Sequence, residues 1–199
     1  MSSRQANGSS GNSSSWDRNT SLWITGLQHD VSYSDLCCGM KNTGKIRHIH
    51  ITRPDQKHAN TRAARVVFFR HDAARKVIDR AREGTFVVQN IRPTVVWNRR
   101  YTEEMSPWGR SRVLRIEGPL EIVNQNFLES FWGREFYWGT EWVEIIVQCP
   151  YRGCGKLLYS FASWEAQAER AGNMLRDAFG DRVYVSYDRD WCEDSYYWS

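Results

Sequence analysis

Residues 46–52 follow an alternating pattern of apolar and polar residues, which is strict from His48 to Thr52. In this stretch Ile49 and Ile51 share one side of an extended chain, while His48 and His50 share the other. A period of two residues is typical of a strand with one buried face. The stretch therefore predicts a strand whose histidines point away from the core.

The rest of residues 20–100 completes a pattern of strands and helices. After His71, apolar residues recur every three or four positions, as on one face of a helix. Other runs have the β-branched and aromatic residues of strands, or polar residues that cap a short helix. The predicted elements are a strand at 21–25, a helix at 36–40, strands at 46–52 and 63–69, a helix from 71, a possible strand at 86–88 and a strand at 93–97.

The same order recurs in residues 111–188. Residues 22–27 align with residues 114–119 at an offset of 92, and Phe68 aligns with Phe161 at an offset of 93. Two copies of this length are duplicated domains, each large enough for its own core. The second copy has predicted strands at 112–117, 142–149, 156–161 and 183–185, and helices at 122–131 and 164–179.

The order β-α-β-β-α-β predicts a ferredoxin-like sandwich of the α/β (α+β) class in each half. In this fold an antiparallel sheet packs two helices on one face and leaves the other face open. The side chains on the open face then determine what the domain binds.

The segments outside the two domains are polar or aromatic. Residues 1–19 are rich in Ser, Gly and Asn and are expected to be a disordered tail, and residues 101–110 read as a linker. Residues 189–199 mix acidic and aromatic side chains. They could lie over the open sheet of either domain, dock elsewhere as a peptide, or form a loose end.

Net charge separates the two halves. The chain carries +4 overall, but residues 1–100 have 17 Lys and Arg against 7 Asp and Glu, a net +10. The remaining residues have 10 against 16, a net −6. A basic half beside an acidic half indicates different partners for the two domains.

Other classes of protein are disfavoured by the sequence. It contains no apolar run of about 18 residues and no secretory signal, so we expect neither a membrane span nor a membrane partner. The five cysteines suit buried thiols rather than a disulfide framework, which favours a reducing intracellular compartment, nuclear or cytoplasmic.

The first half resembles the RNA recognition motif (RRM) family. Residues 22–27 match the family's first-strand pattern, with Trp23 at the stacking aromatic position and Gly26 in place of the usual Asn. Residues 61–68 align with the third strand, where Phe68 fits a core position. The two exposed aromatic positions of that strand are here Ala63 and Arg65.

The resemblance implies that domain 1 binds single-stranded RNA on its open face. Trp23 would stack a base, while arginines and histidines would stack or pair with phosphate. Ile46 and Val67 are expected as apolar neighbours on this face, and Arg47, Arg53 and Lys57 around it. The candidate RNA-binding residues are Trp23, His48, His50, Arg62, Arg65, Arg99 and Arg100.

The second half resembles an RRM only in its layout and reads as a degenerate copy. The stacking positions hold Arg115, Lys156 and Leu158, and the net charge of −6 would repel RNA phosphates. Most of its aromatic residues are expected in the core, and some could form a protein-docking surface. These residues are Phe131, Trp132, Phe136, Tyr137, Trp138 and Trp142.

Catalytic and metal-binding signals are weak. Cys149 and Cys154 lack a second Cys or His pair at zinc-site spacing, and phosphate-binding loops and nucleophile motifs are absent from the sequence. We therefore expect no enzyme activity, no cofactor, no metal and no small-molecule substrate. The competing hypothesis is a protein-interaction module, which the missing aromatics on the third strand favour.

Overall fold

The computed structural model describes residues 18–52 and 61–193. Residues 18–100 form domain 1, a four-stranded antiparallel sheet with two helices on one face. The strands lie in the order β2-β3-β1-β4. The elements are β1 (Ser21–Gln28), α1 (Tyr33–Gly39), β2 (Ile46–Ile51), β3 (Thr61–Phe68), α2 (His71–Arg82) and β4 (Thr94–Trp97).

Residues 111–187 form domain 2 with the same topology, in the order β6-β7-β5-β8. The predicted pair of ferredoxin-like sandwiches is therefore confirmed. One turn of π-helix, Trp164–Glu169, precedes the last helix. The elements are β5 (Val113–Pro119), α3 (Gln125–Trp132), β6 (Thr140–Cys149), β7 (Cys154–Phe161), α4 (Arg170–Phe179) and β8 (Tyr184–Tyr187).

The periodicity predicted for the helix after His71 correctly identifies its core residues. Ala73, Ala74, Val77 and Ile78 of α2 are all buried against the sheet. The short helix α1 begins at a capping box, in which Ser32 and Asp35 satisfy each other's backbone N–H groups.

The two aligned phenylalanines hold equivalent positions. Phe68 and Phe161 end their strands in the cores of domain 1 and domain 2. The duplication read from the sequence is thus a duplication of packing as well as of topology.

A bulge in β2 changes the side on which one predicted residue lies. The register shifts between Ile46 and His48, leaving Arg47 as an extra residue. Ile46 consequently points into the core of domain 1, and its prediction as an open-face neighbour is wrong. Val67 does lie outside that core, but it is buried rather than available to a ligand.

Some element boundaries differ from the predicted ones. Helix α3 begins three residues later than predicted, because Asn124 caps it and accepts from the N–H of Phe127. The segment 86–88 forms only an isolated bridge, between Val88 and Ile91, and Phe86 packs into the core without a strand of its own.

The two domains contact each other along the edge strand β2. The N–H of Ile49 donates to the carbonyl of Ala162 at 2.7 Å, and His48 bridges to Ser163. Arg47 forms an ion pair with Glu165 at 3.0 Å. Residues at the end of β7 therefore extend the sheet of domain 1 by a short, strand-like segment.

Residues 188–193 lie between the domains. Asp190 accepts from the guanidinium of Arg112 and from the N–H of Ile46, and Cys192 is buried in the core of domain 1. The first part of the predicted C-terminal tail is thus an interdomain wedge, and residues 194–199 lie outside the described residues.

Candidate nucleic-acid interface

Trp23 lies on the open face of the domain 1 sheet. Its neighbours in β1, Leu22 and Ile24, are fully buried on the helix side, so the alternation of the strand turns Trp23 the opposite way. Its cross-strand partners are Arg65 in β3 and Val96 in β4. The indole is half-buried, which leaves part of the ring available for stacking.

Arg65 is held in place beside Trp23. Its Nε donates to Ser21 Oγ at 3.2 Å, and its Nη2 donates to Thr102 Oγ1 at 3.0 Å. Burial lowers the pKa of this guanidinium, and the nearby charges of Arg100 and Arg47 lower it further. Positive charge is therefore concentrated at this point of the face, in a place where an anion would relieve repulsion.

The hydrogen bonds that hold Arg65 in place were not predicted from the sequence. Thr102 belongs to the predicted linker, yet it pairs with Thr20 and accepts a hydrogen bond from the Arg65 side chain. Asn19 is fully buried and accepts from the N–H groups of Ser21 and Thr102. Asn19, which was predicted to lie in the disordered tail, is therefore part of the folded domain. Hydrogen-bonded polar residues such as Asn19 and Thr102 do not recur at a fixed spacing, so the sequence pattern does not predict them.

The two histidines of β2 lie side by side on the same face. Their rings are parallel within 4°, with centroids 6.4 Å apart. Burial, and then the positive charges of Arg65, His50 and Arg47, lower the pKa of His48 to about 4. His48 is therefore a neutral group near pH 7, whereas the exposed His50 lies directly across from Arg65.

Domain 2 covers one end of the open face. Phe69 is buried against Trp164, with ring centroids 5.6 Å apart, and Arg110 lies 5.2 Å from the centroid of the same indole. Val67, two residues earlier on the same face, is also buried. The open surface is thereby reduced to the half of the sheet around Trp23, Arg65 and His50.

The remaining candidate arginines are divided between two sides of the sheet. Arg99 and Arg100 are exposed directly after β4, and Arg100 is near enough to Arg65 to affect its pKa. Arg62 lies on the helix side, where its charge acts on Tyr33 of α1, because it alternates with the open-face residues Ala63 and Arg65. Arg62 is therefore not brought together with the other candidates, and Arg53 and Lys57 lie outside the described residues.

On the equivalent face of domain 2, basic side chains are paired with nearby carboxylates. Arg115 pairs with Asp188 at 2.5 Å, and Lys156 pairs with Glu117 at 2.8 Å. The two basic side chains that occupy stacking positions are thus already bound to carboxylates.

The predicted aromatic residues of domain 2 are mostly in its core. Trp132 is fully buried among Trp138, Tyr159 and Phe161, while Tyr137 is exposed. Phe131, Phe136 and Trp138 pack against the same core. Trp142 instead contacts Trp191 of the interdomain wedge, at a centroid distance of 5.3 Å.

Metal-ligating side chains are sparse in the described part of the chain. No group of three or more His, Cys, Asp or Glu residues there is arranged to hold a metal ion. Cys149 and Cys154 face each other at the end of the β6–β7 hairpin. Within the same residues, no helix is long and apolar enough to cross a membrane.

Comparison with known proteins gives likenesses in solved structures only. No family model matches the chain, and no curated protein matches it. The Sex-lethal RNA recognition domains 1 and 2 from Drosophila melanogaster align at 17% identity and a TM-score of 0.33, covering 85% of this chain and 100% of that one.

Two yeast structures give similar values. The first two RRM domains of the poly(U) binding protein Pub1 align at 18% identity and a TM-score of 0.32, covering 85% of this chain and 99% of that one. The three N-terminal RNA binding domains of the splicing factor Prp24 align at 17% and 0.33, covering 86% and 99%. Identities and TM-scores of this size assign neither a family nor a function to this chain.

Proposed function

We propose that this protein binds single-stranded RNA, without catalysis, on the open half of the domain 1 sheet. The observation that carries the proposal is the pairing of Trp23 with Arg65, a partly exposed indole directly across from a held guanidinium. An indole on a sheet face stacks an unpaired base, and an adjacent arginine binds the phosphate or stacks on the next base.

The surroundings of this pair favour an anionic ligand. Arg100 places further positive charge near Arg65, whereas Arg47 is paired with Glu165, and the first hundred residues carry +10. Neutral His48 and exposed His50 add ring surfaces beside the arginine. A base stacked on Trp23 therefore has cationic groups on the side where its phosphates would lie.

The size of the open half limits the number of nucleotides that it binds. Trp23 is the aromatic residue at its centre, Phe69 is buried against Trp164 of domain 2 at the other end, and Val67 is buried as well. We expect one or two nucleotides in direct contact, with stacking worth about 1–3 kcal/mol per base. The affinity of the site should accordingly be modest, with a salt slope of about −0.7 to −1.4 for one or two neutralised phosphates.

Domain 2 supports the site rather than sharing in it. Its own open face pairs Arg115 and Lys156 with carboxylates, so it offers RNA little uncompensated positive charge. Its contacts with β2 and Phe69 fix the edge of the domain 1 face.

The test is a salt titration of the full chain with a fluorescently labelled single-stranded RNA of eight nucleotides. The full chain is required because Cys192, from the other end of the sequence, completes the core of domain 1. We expect log K to fall with log salt at a slope of about −0.7 for each phosphate that is neutralised. The absence of measurable binding at low salt would reject the proposal.

A further inference from the structure

Two of the five cysteines face each other across the β6–β7 hairpin. Cys149 ends β6, Cys154 begins β7, and the two are register partners in the antiparallel ladder. Residues directly opposite each other in such a ladder have Cα atoms about 4.5–5.5 Å apart. A disulfide requires a Cα separation of about 4.4–6.8 Å. The backbone therefore holds this pair at a distance that a disulfide can span.

The turn between the two cysteines brings them together. The N–H of Gly153 donates to the carbonyl of Pro150 at 3.2 Å, and Gly153 has a φ of 60°, in the left-handed region that glycine adopts readily. Residues 150–153 thus form a closed turn that returns the chain directly from Cys149 to Cys154. The proximity of the two cysteines is therefore a consequence of the hairpin itself.

Both thiols lie on the open face of the domain 2 sheet. Leu157 and Phe161 of β7 are buried in the core on the helix side, so the alternation of the strand turns Cys154 to the opposite face. Cys149 shares that face because it lies directly across from Cys154. Both cysteines are half-buried, and Tyr151 in the turn between them is fully exposed. A small oxidant can therefore reach the pair from solvent.

The other three cysteines are arranged differently. Cys37 and Cys192 are buried in the core of domain 1, where a hydrogen bond with Cys37, and then burial, raise the pKa of the Cys192 thiol. A thiol with a raised pKa is rarely present as the thiolate, which is the form that reacts. Cys38 is exposed, but the adjacent Cys37 is turned into the core. Cys149 and Cys154 are therefore the pair that is both matched in position and accessible.

A disulfide at this position would act on the outer end of the hairpin. The register of β6 with β7 shifts between Ile145 and Val147, which interrupts the ladder. Beyond the shift, Val147, Gln148 and Cys149 pair with β7 on the outermost strand of the sheet. The end of a short ladder at a sheet edge opens more easily than the core strands. A covalent bond across its last pair would hold it closed.

We propose that Cys149 and Cys154 form a reversible redox site, which a low-molecular-weight disulfide such as oxidised glutathione converts to a cross-strand disulfide. The thiolate of one cysteine attacks a sulfur of the oxidant, forms a mixed disulfide and releases one glutathione. The second cysteine attacks the protein sulfur of the mixed disulfide and releases the second glutathione. The protein dithiol thus loses two electrons and two protons, and both are recovered in the two glutathione thiols.

The bond is reversible because of where it lies. Exposed disulfides are more easily reduced than those that stabilise a buried core. In a reducing compartment, which the cysteine usage of this chain favours, disulfides are transient and often sense oxidants. The pair is accordingly a dithiol under reducing conditions and a disulfide after exposure to an oxidant.

The test equilibrates the full chain with oxidised or reduced glutathione, alkylates the remaining thiols and digests the unfolded protein with trypsin without reduction. Trypsin cleaves after Arg152, between the two cysteines, so the peptides 135–152 and 153–156 separate unless a disulfide joins them. Mass spectrometry should detect at least tenfold more linked peptide after oxidised than after reduced glutathione. Excess reduced glutathione should then return the linked peptide to its starting level. Reaction of Cys38 with glutathione without any linked peptide would overturn the proposal.

A matched variant separates strand pairing from closeness in the sequence. The double substitution Gln148→Cys and Cys149→Ser moves one thiol by a single residue, to the position across from Gly155 on the opposite face. We expect at least tenfold less linked peptide from this variant than from the parent at the same concentration of oxidised glutathione. Equal linkage would mean that the cysteines react through a flexible loop, and the proposal would be wrong.

Hydrogen exchange of the parent protein measures the effect on the hairpin. We expect the hydrogen-bonded amides of residues 147–149 and 154–156 to exchange at least tenfold more slowly in the oxidised than in the reduced protein, while the amides of β1 exchange equally in both. Equal exchange of the hairpin amides would contradict the proposed closure. This comparison and the tryptic digest of the parent need no substitution, so they hold even if the variant fails to fold. Neither measurement involves RNA, so the two proposals fail independently.

Discussion

The guanidinium of Arg112 donates to both carboxylate oxygens of Asp190, at 2.8 and 2.9 Å, and neither side chain is exposed to solvent. Asp190 also accepts from the N–H of Ile46 in domain 1, while Arg112 immediately precedes the first strand of domain 2. One buried ion pair thus connects both domains to the C-terminal wedge.

Removing one partner of this pair should be costly. Asp190→Ala leaves the Arg112 charge buried with Glu141 as its remaining carboxylate, and we expect a loss of about 3–5 kcal/mol in the free energy of unfolding. Glu121→Ala, which removes an exposed ion pair with Arg182, should cost less than about 1 kcal/mol. Urea denaturation of both variants measures the difference, and similar losses would contradict the structural role of Asp190.

Substitutions of Cys192 and Cys38 should differ in their effect on stability, because Cys192 is buried in the wedge and Cys38 is exposed. Cys192 is fully buried in the core of domain 1, and its thiol lies 3.5 Å from the carbonyl of Cys37. Cys192→Ser puts a more polar hydroxyl at this site, and we expect a loss of about 1–3 kcal/mol. Cys38→Ser, at an exposed position in the neighbouring helix, should stay within about 0.5 kcal/mol of the parent. Equal thermal shifts for the two variants would show that Cys192 is not part of the core.

These interdomain contacts are the part of the structure that the sequence pattern did not predict. Periodicity located the strands and helices of both domains because a buried face forces apolar residues to recur at fixed spacing. The wedge has no such period, since Asp190 and Cys192 are buried by contacts with residues more than seventy positions away.

The candidate RNA-binding site was likewise predicted from the sequence only in part. The positions of Trp23 and Arg65 on one face followed from strand alternation. The bulge at Arg47, by contrast, placed Ile46 in the core, and contact with Trp164 of domain 2 closed the end of the face at Phe69. Two consecutive polar residues, Arg47 and His48, interrupt the alternation at the bulge, but the predicted strand did not take this into account. A single sequence contains no signal for the relative placement of two domains.

The stability of the protein should fall as pH decreases through the range in which His48 titrates. Burial holds its pKa at about 4 in the folded protein, against 6.5 in the unfolded chain. Between these values the unfolded chain binds more protons, so the free energy of unfolding decreases as pH falls from about 6.5 to about 4. His48→Gln should flatten this part of the profile in urea denaturation at several pH values. If the free energy of unfolding of His48→Gln depended on pH as in the parent, the pH dependence could not be assigned to His48.

Basic residues on the two sheet faces should differ in their effect on RNA binding. Arg65→Ala removes a guanidinium beside Trp23, and we expect about tenfold weaker binding, or about 1.4 kcal/mol, and a salt slope reduced by about 0.7. Arg115→Ala removes a guanidinium that is paired with Asp188, so binding should change less than twofold. Titrations of both variants at two salt concentrations give the comparison. A larger effect of Arg115→Ala would place the RNA on domain 2.

The most direct test of the account compares two aromatic residues on equivalent faces. Trp23 lies on the open face of domain 1, and Tyr184, which is 65% exposed, lies across from Glu117 on the sheet of domain 2. We would measure the affinity of the full chain and of Trp23→Ala and Tyr184→Ala for the labelled single-stranded RNA at low salt. We expect Trp23→Ala to lose about 1–3 kcal/mol of binding free energy and Tyr184→Ala to match the parent. Parent-like binding by Trp23→Ala, in a variant that remains folded, would contradict the central claim.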